Sequence, residues 1–366
     1  MQDIIKLRNE VQQKENIIKE KDKIIKQKNS KINQLNEKIK ELNKIKNDNT
    51  KIISYKKNNN GNYIKKLEFD RIIVQYKAVT SMGIFPSGNL IIALEDYPIK
   101  IYDTNYNEIQ NIKSQKAKLP YYDYNFIEIV VKDENNFCSC ENEFIKTWIK
   151  NNNIFIINHL VQQKSYSCGH KIKYLYDNLI ISCHNKYIKI LNENFNNITL
   201  RTKLNLESIY TFLVLKDKNK LFIAKKNVEI RNLKNLKLEK SFNDIIPNNY
   251  VVLKRLDRDK IIVANLSSSD DYFLLLISIS QEKIIDKIST NGRWDILYPL
   301  KNKNILLVAN NGCEEALVVK KDDFYIDYKF NPIKFYDTII KGFIELDNNK
   351  FAIFGSEGTI KIFKIS

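Results

Sequence analysis

A chain of 366 residues, 43% hydrophobic and 11% aromatic, has enough apolar material to bury a sizeable core. Its 60 basic and 43 acidic residues leave a net charge of +17, but no block of five or six like charges occurs, which favours solubility and weak attraction to polyanions over a concentrated nucleic-acid footprint. Five scattered cysteines, no hydrophobic leader after Met1 and no apolar run near the ~20 residues of a membrane span point to a soluble cytoplasmic protein, with the nucleus as an equivalent reducing compartment.

Residues 1–50 contain neither Gly nor Pro and consist largely of good helix formers. Ile4, Val11, Ile18, Ile25, Ile32 and Ile39 recur every seven positions, with Leu7, Leu35 and Leu42 at the second apolar position of the heptad. The spacing predicts a coiled-coil helix over residues 1–48 whose seam includes Ile4, Val11, Ile18, Ile25, Ile32, Leu35, Ile39 and Leu42. Lys14, Lys21 and Lys28 occupy that second position in the middle, where like charges would face each other in a self-paired dimer. Both a homodimer and a heterodimer are therefore open, with a foreign helix favoured. Residues 49–61, ending in Asn58-Asn59-Asn60-Gly61, read as a linker.

After the linker a repeat runs to the end of the chain. An apolar strand, a short polar gap and a second apolar strand recur seven times, as in LIIALE followed by IKIYD and FAIFGS followed by GTIKIF. The leading strand begins at Leu90, Phe137, Leu179, Leu221, Ile261, Ile305 and Phe351, spaced 40 to 47 residues apart, the interval of four-stranded propeller blades. Both alternating faces of that strand are apolar, as expected of a strand packed on two sides. Its fourth residue is mostly small (Ala93, Cys140, Ser182, Ala224 and Ala264), with Val308 and Phe354 as departures. The predicted fold is an all-β seven-bladed β-propeller over residues 62–366, preceded by the long N-terminal α-helix. Residues at about 62–69 alternate in strand fashion and are expected to supply the closing outer strand of the last blade.

The segments GSEGTIKIF, FIKTWI and IKIYD resemble the end of a WD repeat, so residues 62–366 look like a degenerate member of that propeller family. Trp148 alone carries a Trp at the signature position, which elsewhere holds Tyr102, Leu191 or Phe363. The family's Gly-His pair is missing, Cys168-Gly169-His170 being the nearest approach.

Catalytic chemistry finds little purchase. Three His are too few to supply base–nucleophile constellations, and Glu314-Glu315, Asp270-Asp271 and Asp322-Asp323 sit in predicted turns. Cys138-Ser139-Cys140, Cys168-Gly169-His170 and Cys183-His184 lack the spacing of structural zinc, and Cys138 and Cys140 fall at core strand positions. No catalytic residue, cofactor or metal is expected. An aromatic precedes the first strand of every blade: Tyr76, Tyr124, Tyr166, Tyr210, Tyr250, Trp294 and Tyr336. These are the candidate partner-binding residues, as an exposed ring or as core between blades. The expected function is a non-catalytic protein-interaction scaffold that pairs through its helix and binds a protein or peptide on a propeller face. The alternative is a basic protein that binds a polyanion, nucleic acid or cytoskeleton.

Overall fold

A computed structural model describes residues 67–95, 98–113, 127–141, 144–162, 171–175, 179–184, 187–194, 197–205, 209–225, 227–242, 251–265, 272–290, 294, 296–301, 305–309, 315–321, 333–334, 339–347 and 349–365. The chain divides into units of Met1–Ser54 and Tyr55–Ser366, and all described residues belong to the second.

Strand β1 (Leu67–Val74) opens the described chain, and the remaining strands fall into consecutive groups. The first sheet holds β2 (Val79–Ile84), β3 (Leu90–Leu94), β4 (Pro98–Tyr102) and β5 (Glu108–Lys113). The second holds β6 (Ile127–Val131), β7 (Asn136–Glu141), β8 (Phe144–Asn151) and β9 (Ile154–Gln162). Next come β10 (Lys171–Leu175), β11 (Leu179–His184), β12 (Tyr187–Asn194) and β13 (Asn197–Asn205). The fourth sheet is β14 (Thr211–Leu215), β15 (Lys220–Ala224), β16 (Val228–Asn232) and β17 (Leu238–Phe242). The fifth is β18 (Val251–Arg255), β19 (Lys260–Asn265), β20 (Phe273–Ser278) and β21 (Lys283–Ser289). The sixth is β22 (Ile296–Pro299), β23 (Ile305–Ala309), β24 (Glu315–Lys320) and β25 (Ile333–Lys334). In the seventh, β26 (Ile340–Asp347), β27 (Lys350–Gly355) and β28 (Thr359–Ile365) are joined by β1, which runs antiparallel to β28 from Leu67 opposite Ile365 to Val74 opposite Thr359.

The structure corrects the expected fold class of a long helix leading into a closed seven-bladed propeller. The described residues are all-β, with a single 3-10 turn at Lys216–Lys218 and no α-helix among them. The heptad segment, including Ile4, Val11, Ile18, Ile25, Ile32, Leu35, Ile39 and Leu42, lies outside the described residues. The strands form separate four-stranded antiparallel sheets, and no ladder joins them into one hydrogen-bonded ring. The physical reason is that strands share a ladder only within each group of four, and neighbouring groups meet through side chains instead. This arrangement of small sheets is consistent with propeller-like repeats.

Side chains hold the sheets together. The inner strands touch their counterparts in chain order, from β2 with β6 through to β22 with β26, and β26 also touches β2. The buried apolar residues divide into clusters that each span one boundary between two sheets. Phe85, Ile91 and Ile99 of the first sheet pack on Phe137, Trp148 and Phe155 of the second. Phe137 stacks on Trp148 with centroids 5.5 Å apart, and the Trp148 indole N–H donates to Ser139 Oγ at 2.9 Å. A fully buried side chain of this kind contributes about 2–3 kcal/mol relative to exposure.

The register revises the repeat alignment by one residue in two sheets. Ala93, Cys140, Ala224 and Ala264 each oppose an apolar residue in the first two positions of the next strand, at Ile99, Ile145, Val228 and Leu274. The equivalent residues in the third and sixth sheets are Cys183, opposite Ile188, and Ala309, opposite Ala316. Val308 is therefore no departure from the small-residue rule. Phe354 is one, and the neighbouring strand accommodates it. Its partner across the ladder is Gly342, where a Cβ would lie 2.9 Å from Phe354 Cε1 and closer still to Cζ.

Candidate functional site

The aromatic series does not form one exposed ring. Tyr76 stands 71% exposed on the turn between β1 and β2, with Lys100 Nζ 5.6 Å from its ring centroid. The turn is pinned where Gln75 N–H donates to the Gly358 carbonyl at 2.8 Å. A Cβ on Gly358, whose φ is +73°, would meet the carbonyls of Gln75 and Lys77, so that position requires glycine. Tyr210 is half-buried and packs against the core between the fourth and fifth sheets. Trp294 is buried among Leu256, Ile262, Leu297 and Val308, so its role is core packing. Tyr124, Tyr166, Tyr250 and Tyr336 lie outside the described residues, as do Cys168 and His170. Cys138 and Cys140 are buried free thiols in β7. Among the described residues no three His, Cys, Asp or Glu side chains are grouped to hold a metal ion, and no helix is long and apolar enough to cross a membrane.

Two other features stand out, and both depend on where strands end up relative to one another. The first is β9, the outer strand of the second sheet, which pairs with β8 on one side. Outer strands expose a row of backbone donors and acceptors and are normally protected by charge. β1 carries Glu68, Asp70 and Arg71, β5 carries Glu108 and Lys113, β13 carries Arg201 and Lys203, and β21 carries Lys283, Asp286 and Lys287. β9 has no Lys, Arg, Asp or Glu. It leaves Ile154 56%, Ile156 45%, Ile157 42% and Leu160 53% exposed, and Ile149 of β8 extends the patch. Part of its edge is occupied from the neighbouring sheet. Gln110 of β5 accepts from the Phe155 N–H at 3.1 Å and donates to the Phe155 carbonyl at 3.3 Å, imitating a paired strand residue at that one position.

The second feature lies where the inner strands meet. Inner-strand side chains reach across sheet boundaries to backbone N–H groups: Ser81 Oγ accepts from Ile129 at 3.0 Å, and the Tyr298 hydroxyl accepts from Glu345 at 3.2 Å. Between β6 and β10 the acceptor is a carboxylate, Glu128 Oε2, which takes the Ile172 N–H at 3.0 Å. Lys171 on β10 in turn donates from Nζ to Thr211 Oγ1 on β14 at 2.8 Å. Burial pushes the Glu128 carboxyl above its ordinary range, against the pull of Lys173, Lys171, the Ile172 N–H and Lys254. Burial also lowers Lys254 of β18 to about 8, helped by repulsion from Lys173 and Lys171. Four strands from four sheets thus assemble a carboxylate, three ammonium groups and a hydroxyl.

Neither feature was singled out in the sequence. A signal for the charged cluster exists in KIKYL, where two lysines alternate with apolar residues in an inner strand. For β9 the signal is IFIINHLVQ, a run of nine residues without a fixed charge. No family model matches the chain, and no curated protein matches it.

Proposed function

We propose that this protein is a non-catalytic interaction scaffold that takes an extended, apolar segment of a partner protein along β9. The observation that carries the reading is the uncharged outer strand with four exposed aliphatic side chains, Ile154, Ile156, Ile157 and Leu160, in a chain of net charge +17. Strand addition supplies main-chain hydrogen bonds for affinity, and alternate side chains supply selectivity. Gln110 already engages Phe155, so the added strand runs along the residues from Ile157 onward. An uncharged, aliphatic partner segment matches this surface because a charged one would lose its hydration there without gaining an ion pair. Residence in the cytoplasm belongs to the same reading, and the buried thiols of Cys138 and Cys140 suit a reducing compartment.

The test compares the intact chain with an Ile156→Lys/Leu160→Lys variant. Affinity capture identifies a partner, and calorimetry with both purified proteins then measures direct binding. Binding lost in a variant with an unchanged melting curve supports the reading; equal affinity for both forms sinks it.

A further inference from the structure

The cluster between the inner strands is independent of the β9 surface and calls for a different ligand. Lys171 and Lys173 flank the buried Ile172 on one strand, and alternate strand residues share a face. Both lysines are exposed, while Glu128 and Lys254 are half-buried. The Lys171 ammonium is anchored on the Thr211 hydroxyl of the next sheet. That hydroxyl, acting as acceptor, keeps its own proton to donate onward. One oxygen of the Glu128 carboxylate is engaged by the Ile172 N–H. The charges act on one another: Lys171 and Lys173 on Glu128 and on Lys254, and Glu128 on Lys254. The cluster itself carries three cations to one carboxylate.

Lys171 and Lys173 both repel the ammonium of the half-buried Lys254, a repulsion that an anion joining them relieves. Here an anion of charge near −2 balances the excess. It is also met by ammonium and hydroxyl donors from β10, β14 and β18. A dianionic phosphate has both the charge and the several acceptor oxygens to use these donors at once. The donors stand on neighbouring inner strands, β10 beside β14 and β14 beside β18, a short span that suits a single phosphate group and not the length of a nucleic-acid backbone.

We propose that Lys171, Lys173, Thr211 and Lys254 form a binding site for one phosphate monoester group, with Glu128 setting its strength from the neighbouring strand. A phosphorylated small molecule and a phosphorylated side chain offer the same group.

Titration calorimetry on the full chain with inorganic phosphate, a sugar phosphate and a phosphoserine peptide tests this at low and moderate salt. Saturable binding of inorganic phosphate is expected, weakened about tenfold by Lys173→Gln through loss of one charge-assisted bond. Glu128→Gln retains an acceptor for Ile172 while removing the competing charge, so it should tighten phosphate severalfold. The source is the organic ligand that binds more tightly than inorganic phosphate. Absence of saturable binding by all three ligands overturns the proposal, as does a weakening or unchanged affinity in Glu128→Gln. If Lys173→Gln does not fold, the Glu128→Gln arm decides alone.

Discussion

The Glu128 carboxylate accepts the backbone N–H of Ile172 at 3.0 Å across the boundary between the second and third sheets. Each inner strand is the edge of its own sheet, so its outward N–H groups have no ladder partner. Ser81 and Tyr298 do the same at two other boundaries. These bonds satisfy edge groups and at the same time set how adjacent sheets sit, because a side chain of one strand meets a fixed donor of the next.

Replacing Glu128 with Ala should therefore lower stability by about 1–3 kcal/mol, the cost of leaving a buried donor unpaired. Glu128→Gln should lose less than half of that, since an oxygen acceptor stays in place. Urea denaturation of the two variants checks the order, and equal losses would show that charge, not the bond to Ile172, is what matters.

Gly342 makes room for the Phe354 ring, its partner across the ladder. Gly342→Ala is expected to destabilise by about 1–3 kcal/mol through overpacking. Combined with Phe354→Leu, the alanine should cost much less than it does alone. Additive losses in the double-mutant cycle would mean that the two residues do not compete for the same space.

Two members of the aromatic series should respond in opposite ways. Trp294→Ala removes a buried ring from the fifth-to-sixth sheet cluster and should cost about 3–5 kcal/mol. Tyr76→Ala, at 71% exposure, should stay within about 0.5 kcal/mol of the parent. Melting temperatures of both variants measured side by side separate core from surface.

Lys361 is 3% exposed in β28, and burial lowers its ammonium to about 8. The unfolded chain keeps that proton up to the ordinary lysine value of 10.5, so above pH 8 the unfolded state holds more protons. Stability contributed by this group must then rise with pH from about 8 toward 10.5. Above pH 10 the hydroxyls of buried Tyr102 and half-buried Tyr106 and Tyr298 oppose the trend, because desolvation raises them above 10.0. Between pH 8 and 10 the rise should be shallower in Lys361→Met but still present, since Lys254 titrates in the same range. An unaltered slope would exclude Lys361 as its source.

Gln110→Ala should free the Phe155 N–H and carbonyl on the outer edge of β9. A longer unprotected edge beside exposed aliphatic residues lowers the threshold for aggregation. Light scattering on heating should show an earlier onset, which a further Ile156→Lys change reverses. An onset that ignores Gln110 would mean that its amide does not protect the strand.

Much of the strand content was legible. Leu90, Phe137, Leu221, Ile261 and Phe351 are all buried strand residues, because a strand packed on both faces needs apolar side chains on both. The pairing of residues near the start of the repeat with the last sheet was less sharply legible. Alternation pointed to about 62–69, whereas the paired strand is Leu67–Val74. Lys100, Lys146 and Lys361 are buried in the third strands of their sheets, although the Ile-Lys-Ile alternation around Lys100 and Lys361 ordinarily marks a half-exposed strand. Their burial is imposed by a neighbouring sheet, which no local pattern encodes.

Local chemistry by itself determined where apolar strands recur and which residues within them are small, since those properties follow from alternation and side-chain volume. The arrangement in separate four-stranded sheets, the burial of Trp294 and the exposure of Tyr76 were decided by tertiary structure. So was the meeting of Glu128, Lys171, Thr211 and Lys254, which belong to four sheets and share no local pattern. Sequence spacing sets the side on which a residue leaves its strand, but only the packing of one sheet against the next decides what it meets there.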